Sequence, residues 1–259
     1  MQANPSVSEL PLETIMRALD CLYNPNTNEQ TRKEADVYLN QLKESLQADA
    51  FEQLTTAFLQ VFRSQSEGKS ATEYFLLTLF ESCFQRWLSN VVAVPGSRDI
   101  KELVEKLIKP NLWQLVVNSI GQHNVEIPSF VRNRMVSLFS FVALRTWPQY
   151  WPTCFDDWVA LAQSNAQYME LVLLILKQIS EDLVLTNTSI DTARRDELIR
   201  SLDVCLPFLF QFVQHILKIC QNTIVSSHWQ TLEGNHAISI CVLALEFVES
   251  VLQNKKLRS

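Results

Sequence analysis

Between residues 205 and 241 the chain places Cys205, His215, Cys220, His228, His236 and Cys241, side-chain types from which zinc sites are built. A structural zinc site usually takes two close ligand pairs, with two to four residues between the members of each. None of these spacings fits, and most of the six fall on apolar helical stretches, so the cluster reads as core packing. Two carboxylate pairs, Asp156-Asp157 and Glu181-Asp182, have the residue types for acid–base work. Adjacent residues on a helix point about 100° apart, so neither pair converges on one substrate, and capping or solvation is the reading. The four glycines, Gly68, Gly96, Gly121 and Gly234, form no phosphate-cradling GxxxxGK[ST] or GxGxxG loop, and there is no GxSxG elbow. The inventory predicts no enzyme, no cofactor and no metal. In "DTARRDEL", Arg194 and Arg195 follow Asp191. They form either local ion pairs at a solvated helix start or contacts to an anionic partner such as RNA phosphate.

The elements that would carry these residues are helices. Each glycine lies in a polar gap between apolar-periodic segments. Apolar spacings of three and four residues predict roughly ten helices: about 8–23, 28–45, 48–64, 71–88, 97–120, 128–146, 153–163, 165–185, 191–221 and 234–253. Pro110 must kink or split the fifth and Pro207 bend the ninth, because proline removes an internal hydrogen bond. Paired off, first helices start near residues 10, 48, 99, 153 and 190, a mean spacing of about 45. HEAT and armadillo repeats run at about 40–47 residues, against about 34 for tetratricopeptide repeats. The fold expected is all-α: a right-handed α-solenoid of about five HEAT-like helical hairpins.

"TWPQYWPTCFDDW", 146–158, is the sharpest break. The residue before a proline avoids the α region, so the preceding helix should end near Thr146. Pro152 should sit in the first turn of the next helix, where its missing N–H has no consequence. Asp156 and Asp157 then lie near that helix's positive end. Trp147, Pro148, Trp151 and Pro152 read as a packed structural corner, with a ligand-stacking platform as the alternative.

With 47% hydrophobic residues over 259, the chain can build a large core without disulfides. Its net charge of −6 argues against a stand-alone nucleic-acid binder and suits a basic or mixed-charge protein partner. The six scattered cysteines suit reduced thiols of the cytosol or nucleus. "MQANPSVSEL" shows no secretory signal, and the longest aliphatic run, "LVLLIL" at 171–176, is far short of the roughly 20 residues of a membrane span. A soluble intracellular chain without membrane insertion is expected.

"WPQYWP" resembles the Trp-Pro-x-x-Trp-Pro corner of the exportin branch of the importin-β superfamily, with Thr146 where an acidic residue often stands. "NPNTNEQTRKEAD" (24–36) is similar to the family's first inter-helix turn, and "FLLTLFESCFQRW" (75–87) to the inner helix of its second repeat, ending in Arg86-Trp87. "ELVLLILKQISEDLVL" with "TARRDEL" (170–185 and 192–198) resembles the exporter of double-stranded precursor microRNA within that branch. The resemblance covers about residues 10 to 245, with about 10–110 similar to the importin-β N-terminal region and 111–259 to exportin-type repeats. It implies a nuclear export receptor that shuttles between nucleus and cytoplasm. The implied partners are Ran in its GTP form, nuclear pore proteins and, in the full receptor, double-stranded RNA cargo. Exportins are several times longer, so the chain reads as the N-terminal portion of one. The last helix, with Ile238, Val242, Leu245, Phe247, Val248 and Val251, should leave one apolar edge open where a further repeat would stack.

In a superhelical solenoid the second helix of each hairpin lines the concave side. Polar positions on 28–45, 71–88 and 128–146 are therefore the binding candidates: Arg32, Asp36, Glu73, Tyr74, Glu81, Gln85, Arg132, Asn133 and Arg134. The resemblance implies that they face Ran. The rival readings are another importin-β family receptor carrying protein cargo, or a HEAT scaffold that does not bind Ran.

Overall fold

In a computed structural model, residues 10–46, 50–64, 69–93, 100–120, 127–184, 190–227 and 231–256 are described. Among them the regular structure is helical, as the apolar periodicity predicts, and the chain divides inside one helix into two compact units, Met1–Leu138 and Phe139–Ser259.

The first unit holds α1 (Leu12–Tyr23), α2 (Glu29–Ser45), α3 (Ala50–Arg63), α4 (Lys69–Ala93), α5 (100–119) and the first half of α6 (Ser129–Thr146). α1 packs on α2 and α3 on α4, while α3 also packs on α5. On α3 the stripe Phe51, Leu54, Phe58, Val61 and Phe62 is buried, and Phe51 meets Phe80 of α4 with ring centroids 4.8 Å apart. Leu76, Leu77, Leu79, Phe80 and Phe84 are all buried on α4, as expected of a helix covered on several sides. Pro110 does not end α5. Its missing N–H is absorbed by a π-turn over Val104–Ile108, where Lys109 N–H bonds to the Val104 carbonyl five residues back.

The second unit holds the rest of α6, then α7 (Cys154–Ala162), α8 (Ala166–Val184), α9 (Thr192–Ser227) and α10 (Leu232–Lys256). α7 packs on α8, α9 on α10, and α10 also on α8. In the 171–176 run, Leu171, Val172, Leu173, Ile175 and Leu176 are buried. Pro207 lies inside α9. Gly234 falls in the first turn of α10 and not in a gap. There its N–H donates to Thr231 Oγ1 at 3.1 Å. Gly68, Gly96, Gly121 and His228 lie outside the described residues.

The longest aliphatic run is short, but two helices pass a length-and-composition test for a membrane span that core helices of soluble proteins also pass. Thr192–Ser226 and Leu232–Gln253 are long and apolar enough by length and composition, and only a third of each apolar window is buried. On α10, Phe247 and Val251 point into the core while Val242, Leu245 and Leu252 are exposed. Ile238, also on α10, is 37% exposed.

Candidate functional site

In the first unit, α2 and α4 present polar stripes to one groove. Asn28 starts α2 by accepting the Thr31 N–H at 2.8 Å. From there Asp36, Asn40, Lys43 and Glu44 follow at steps of four, three and one, which places them on one face. On α4 the matching face carries Ala71, Tyr74, Phe75, Thr78, Ser82, Gln85 and Arg86. Two contiguous hollows of about 350 Å³ each lie between them. One includes Asp36, Asn40, Lys43, Tyr74, Thr78 and Arg134, and the other Asn40, Lys43, Glu44, Ser82, Gln85 and Arg86.

The groove's side chains are held from below. Tyr74 is 41% exposed, its ring 6.1 Å from that of Phe130, and the Arg134 guanidinium lies 5.7 Å from the Tyr74 centroid. Arg134 pairs with Glu81 at 3.0 Å. Lys43 Nζ stands 5.7 Å from the Phe75 ring centroid. The Thr78 and Ser82 hydroxyls donate to the carbonyls of Tyr74 and Thr78, both at 3.0 Å. Their oxygens keep acceptor capacity for a partner. Both signs of charge line the wall, a surface suited to a protein of mixed charge and not to a uniform polyanion.

The expected binding residues separate on this geometry. Asp36, Tyr74, Gln85 and Arg134 line the groove, and Glu81 supports it through Arg134. Asn133 is exposed and Arg132 half-buried, and neither lines it. Glu73 does not face a partner. It is 1% exposed, and burial raises its pKa above the ordinary 4.5, against a smaller lowering by Lys69. Arg32 is a turn clamp, its Nη2 donating to the carbonyls of Asn24 at 3.1 Å and Thr27 at 3.4 Å. Asn40, Lys43, Thr78 and Ser82 were not singled out by the sequence, and Arg86 was noted only as the end of a family-like helix. The signal for them is the helical step from Asp36 and Tyr74.

The Trp-Pro corner lies in the second unit. α6 ends at Thr146, whose carbonyl accepts the N–H groups of Tyr150 at 2.7 Å and Trp151 at 3.1 Å. Thr146 is fully buried, and its hydroxyl donates to the Val142 carbonyl at 2.8 Å. The Trp147–Pro148 peptide is cis. Trp147 packs edge-on against Phe155 at 4.6 Å, and Trp151 against Trp158 at 6.0 Å. Trp151 Nε1 and Thr153 Oγ1 both donate to Asp157 Oδ2, at 2.7 and 2.9 Å. Pro152 is not in the first helical turn as expected. It sits in a turn ahead of α7, closed by Cys154 N–H on the Trp151 carbonyl at 3.1 Å. With Trp147 and Trp151 4% and 0% exposed, the corner is a packed joint and offers no stacking platform.

Arg194 belongs to that joint. Asp191 starts α9 by accepting the Arg194 N–H at 2.9 Å. The Arg194 guanidinium pairs with Glu197 at 2.8 Å, bonds the Leu144 carbonyl at 3.2 Å, and also reaches the Trp147 carbonyl and the Gln149 side chain. Its side chain is 19% exposed, so of the two readings the local one describes it. Arg195 is half-buried beside it. Among the described residues, no three His, Cys, Asp or Glu side chains gather as a metal site.

Residues 128–253 match the family model described as "Exportin 1-like protein". The chain is 22% identical over 214 residues to Exportin-5 of Dictyostelium discoideum, covering 81% of this chain and 17% of that protein. It is 26% identical over 155 residues to Exportin-6 of Danio rerio, covering 58% and 12%. To Exportin-T of the same fish it is 27% identical over 214 residues, covering 81% and 21%. The chain thus spans between 12% and 21% of the length of these relatives. Matches to three exportins, a model match that contains the Trp-Pro corner and a regular structure built of helical hairpins agree in one likeness: the chain is similar to the exportin branch of the importin-β superfamily, with residues 128–253 matching its family model.

Proposed function

We propose that this chain is the N-terminal, Ran-binding portion of a nuclear export receptor, and that the α2–α4 groove is where Ran in its GTP form docks. The observation that carries the reading is the groove itself, two aligned polar stripes of mixed charge on the second helices of consecutive hairpins. The match of 128–253 to an exportin 1-like model supports the receptor class. A receptor of this kind needs no catalytic residue of its own. It needs two sites whose occupancies strengthen each other, a coupling that must be reciprocal: Ran–GTP and cargo bind together in the nucleus, and hydrolysis in the cytoplasm releases both.

Double-stranded RNA is the proposed cargo of the full receptor, on the likeness of 170–198 to the precursor-microRNA exporter and the match to a protein named Exportin-5. This chain's net charge of −6 and the engagement of Arg194 in the corner support a reading in which other parts of such a receptor grip the RNA. Nuclear pore proteins are the remaining partners, with shuttling between nucleus and cytoplasm.

The test is binding of this chain to Ran loaded with non-hydrolysable GTP analogue or with GDP, followed by calorimetry. GTP-selective binding that falls at least about tenfold, or about 1.4 kcal/mol, in a Lys43→Glu, Gln85→Ala variant supports the site. Equal affinity for both nucleotide states would sink the receptor reading in favour of a scaffold. GTP-selective binding indifferent to the variant would move the site elsewhere.

A further inference from the structure

Tyr23, Tyr74 and Phe130 are large aromatic side chains of the first unit that stand exposed to solvent. Tyr23 is the last residue of α1 and is 70% exposed. Tyr74 of α4 and Phe130 near the start of α6 have their ring centroids 6.1 Å apart. Tyr23 and Tyr74 line one hollow of the groove, together with Leu19, Leu22, Leu39 and Phe75. Leu19, Leu39 and Phe75 are buried and Leu22 half-buried, so these four belong to the packed core and form a fixed apolar floor. Asp36, Lys43 and Arg134 complete the lining. An apolar floor with aromatic walls and charges around it is how a binding hot spot is built.

The arrangement selects among occupants. A partner's lysine or arginine would seek an aromatic face, but Arg134 already lies over the Tyr74 ring and Lys43 over that of Phe75. A further cation there meets like charge. A nucleobase stacks well on tyrosine, but the phosphates that come with it meet Asp36, and Asp20 in the adjoining hollow that shares Tyr23. An uncharged apolar side chain meets neither obstacle. We propose that Tyr23 and Tyr74 clamp one apolar side chain, of the leucine, methionine or phenylalanine class, presented by the protein that docks in the groove. This rests on the reading above that the occupant is Ran in its GTP form. Phe130 and Arg134 of α6 pack on Tyr74 and position it, and Glu81 fixes Arg134 at 3.0 Å. The clamp and the rim divide the work: the seated side chain slows dissociation, while Lys43 and Asp36 set approach and register.

The experiment measures binding of this chain to Ran carrying a non-hydrolysable GTP analogue or GDP, by calorimetry and stopped flow, in low and in high salt. Tyr23→Ala should weaken GTP-form binding at least about tenfold, through faster dissociation, and Tyr23→Phe should stay within about twofold of wild type. The Tyr23→Ala loss should be the same in both salts, whereas that of Lys43→Glu should shrink as salt rises. Phe130→Ala should cost less than Tyr23→Ala, because Phe130 acts only through Tyr74. Tyr23 is so exposed that its variants should melt with the wild type. GTP-selective binding that Tyr23→Ala leaves within about twofold of wild type overturns the clamp while the docking reading stands. So does a loss that vanishes in high salt. Equal affinity for both nucleotide states sinks the docking reading and the clamp with it. Binding of single-stranded RNA that is lost in Tyr23→Ala would give the tyrosines to nucleobases and overturn the proposal as well.

Discussion

Replacing Trp151 tests whether the corner is held by packing and by one buried hydrogen bond. The indole is fully buried, lies 6.0 Å from Trp158 in an edge-on pair, and donates through Nε1 to Asp157 Oδ2 at 2.7 Å. Truncating a buried Trp to Ala costs about 3–5 kcal/mol, and Trp151→Ala should fall in that range. Trp151→Phe separates the parts: it keeps an aromatic ring but drops the N–H, for an expected loss of about 1–3 kcal/mol, typical of a hydrogen bond to a charged acceptor. Asp157→Ala removes the acceptor and also frees the Thr153 hydroxyl, which donates to the same oxygen at 2.9 Å. The double variant should therefore be less damaged than the sum of the singles, by about 1 kcal/mol or more of coupling. Urea titration followed by far-ultraviolet circular dichroism reads all four proteins. Coupling below about 0.3 kcal/mol, or Trp151→Phe within about 0.5 kcal/mol of wild type, refutes the argument that Asp157 orients the indole.

Arg194→Lys should destabilise nearly as much as Arg194→Ala, about 1–3 kcal/mol, because the planar fork and not the charge reaches two carbonyls and a carboxylate. Neither change should alter affinity for double-stranded RNA in a gel-shift assay of a longer receptor. Glu73 makes a prediction with a sign. Burial raises its folded pKa above 4.5, so the folded state favours the protonated acid, and stability is lost as pH rises from that ordinary value through the raised one. Glu73→Gln should then raise the melting temperature at pH 7 and lose its advantage below pH 4.5. A constant difference across that range would mean that the carboxyl does not titrate differently on folding.

How much was legible follows from how strongly each feature is over-determined. Apolar periodicity located the helices because every helix buries a stripe, and the sharp end of α6 at Thr146 followed from the restriction before Pro148. Periodicity failed where a helix is buried on several sides. On α4 the rule that a charged residue points outward placed Glu73 at the surface, whereas the tight packing around Phe75, Leu76 and Leu77 leaves it 1% exposed. Proline chemistry predicted a disturbance at Pro110 but not its form, since a π-turn and a break satisfy the missing N–H equally well. The groove was half legible: Asp36, Tyr74, Gln85 and Arg134 follow from choosing the second helices. Lys43 required knowing which turn of α2 lies beside which turn of α4, and that register is tertiary.

The arginines carry the sharper lesson about reading function from charge. Arg32, Arg86 and Arg194 each stand in a stretch that resembles the exportins, and two of them looked like contacts for a partner. All three instead bond backbone carbonyls at or just beyond the end of a helix. Arg32 takes those of Asn24 and Thr27 after α1. Arg86 takes that of Leu46 at 2.8 Å, with those of Lys43 and Glu44, after α2. Arg194 takes those of Leu144 and Trp147 after α6. A helix C-terminus is the negative end of its dipole, and a guanidinium fork can satisfy two carbonyls at once, so a chain of short helical hairpins repeatedly needs a cation there. Once these are assigned to the joints, the cations left on the groove wall are Lys43 and the Glu81-paired Arg134, set against Asp36 and Glu44. That balance has too little uniform positive charge to hold a nucleic acid by phosphate contacts, in keeping with the proposal that a protein docks in the groove.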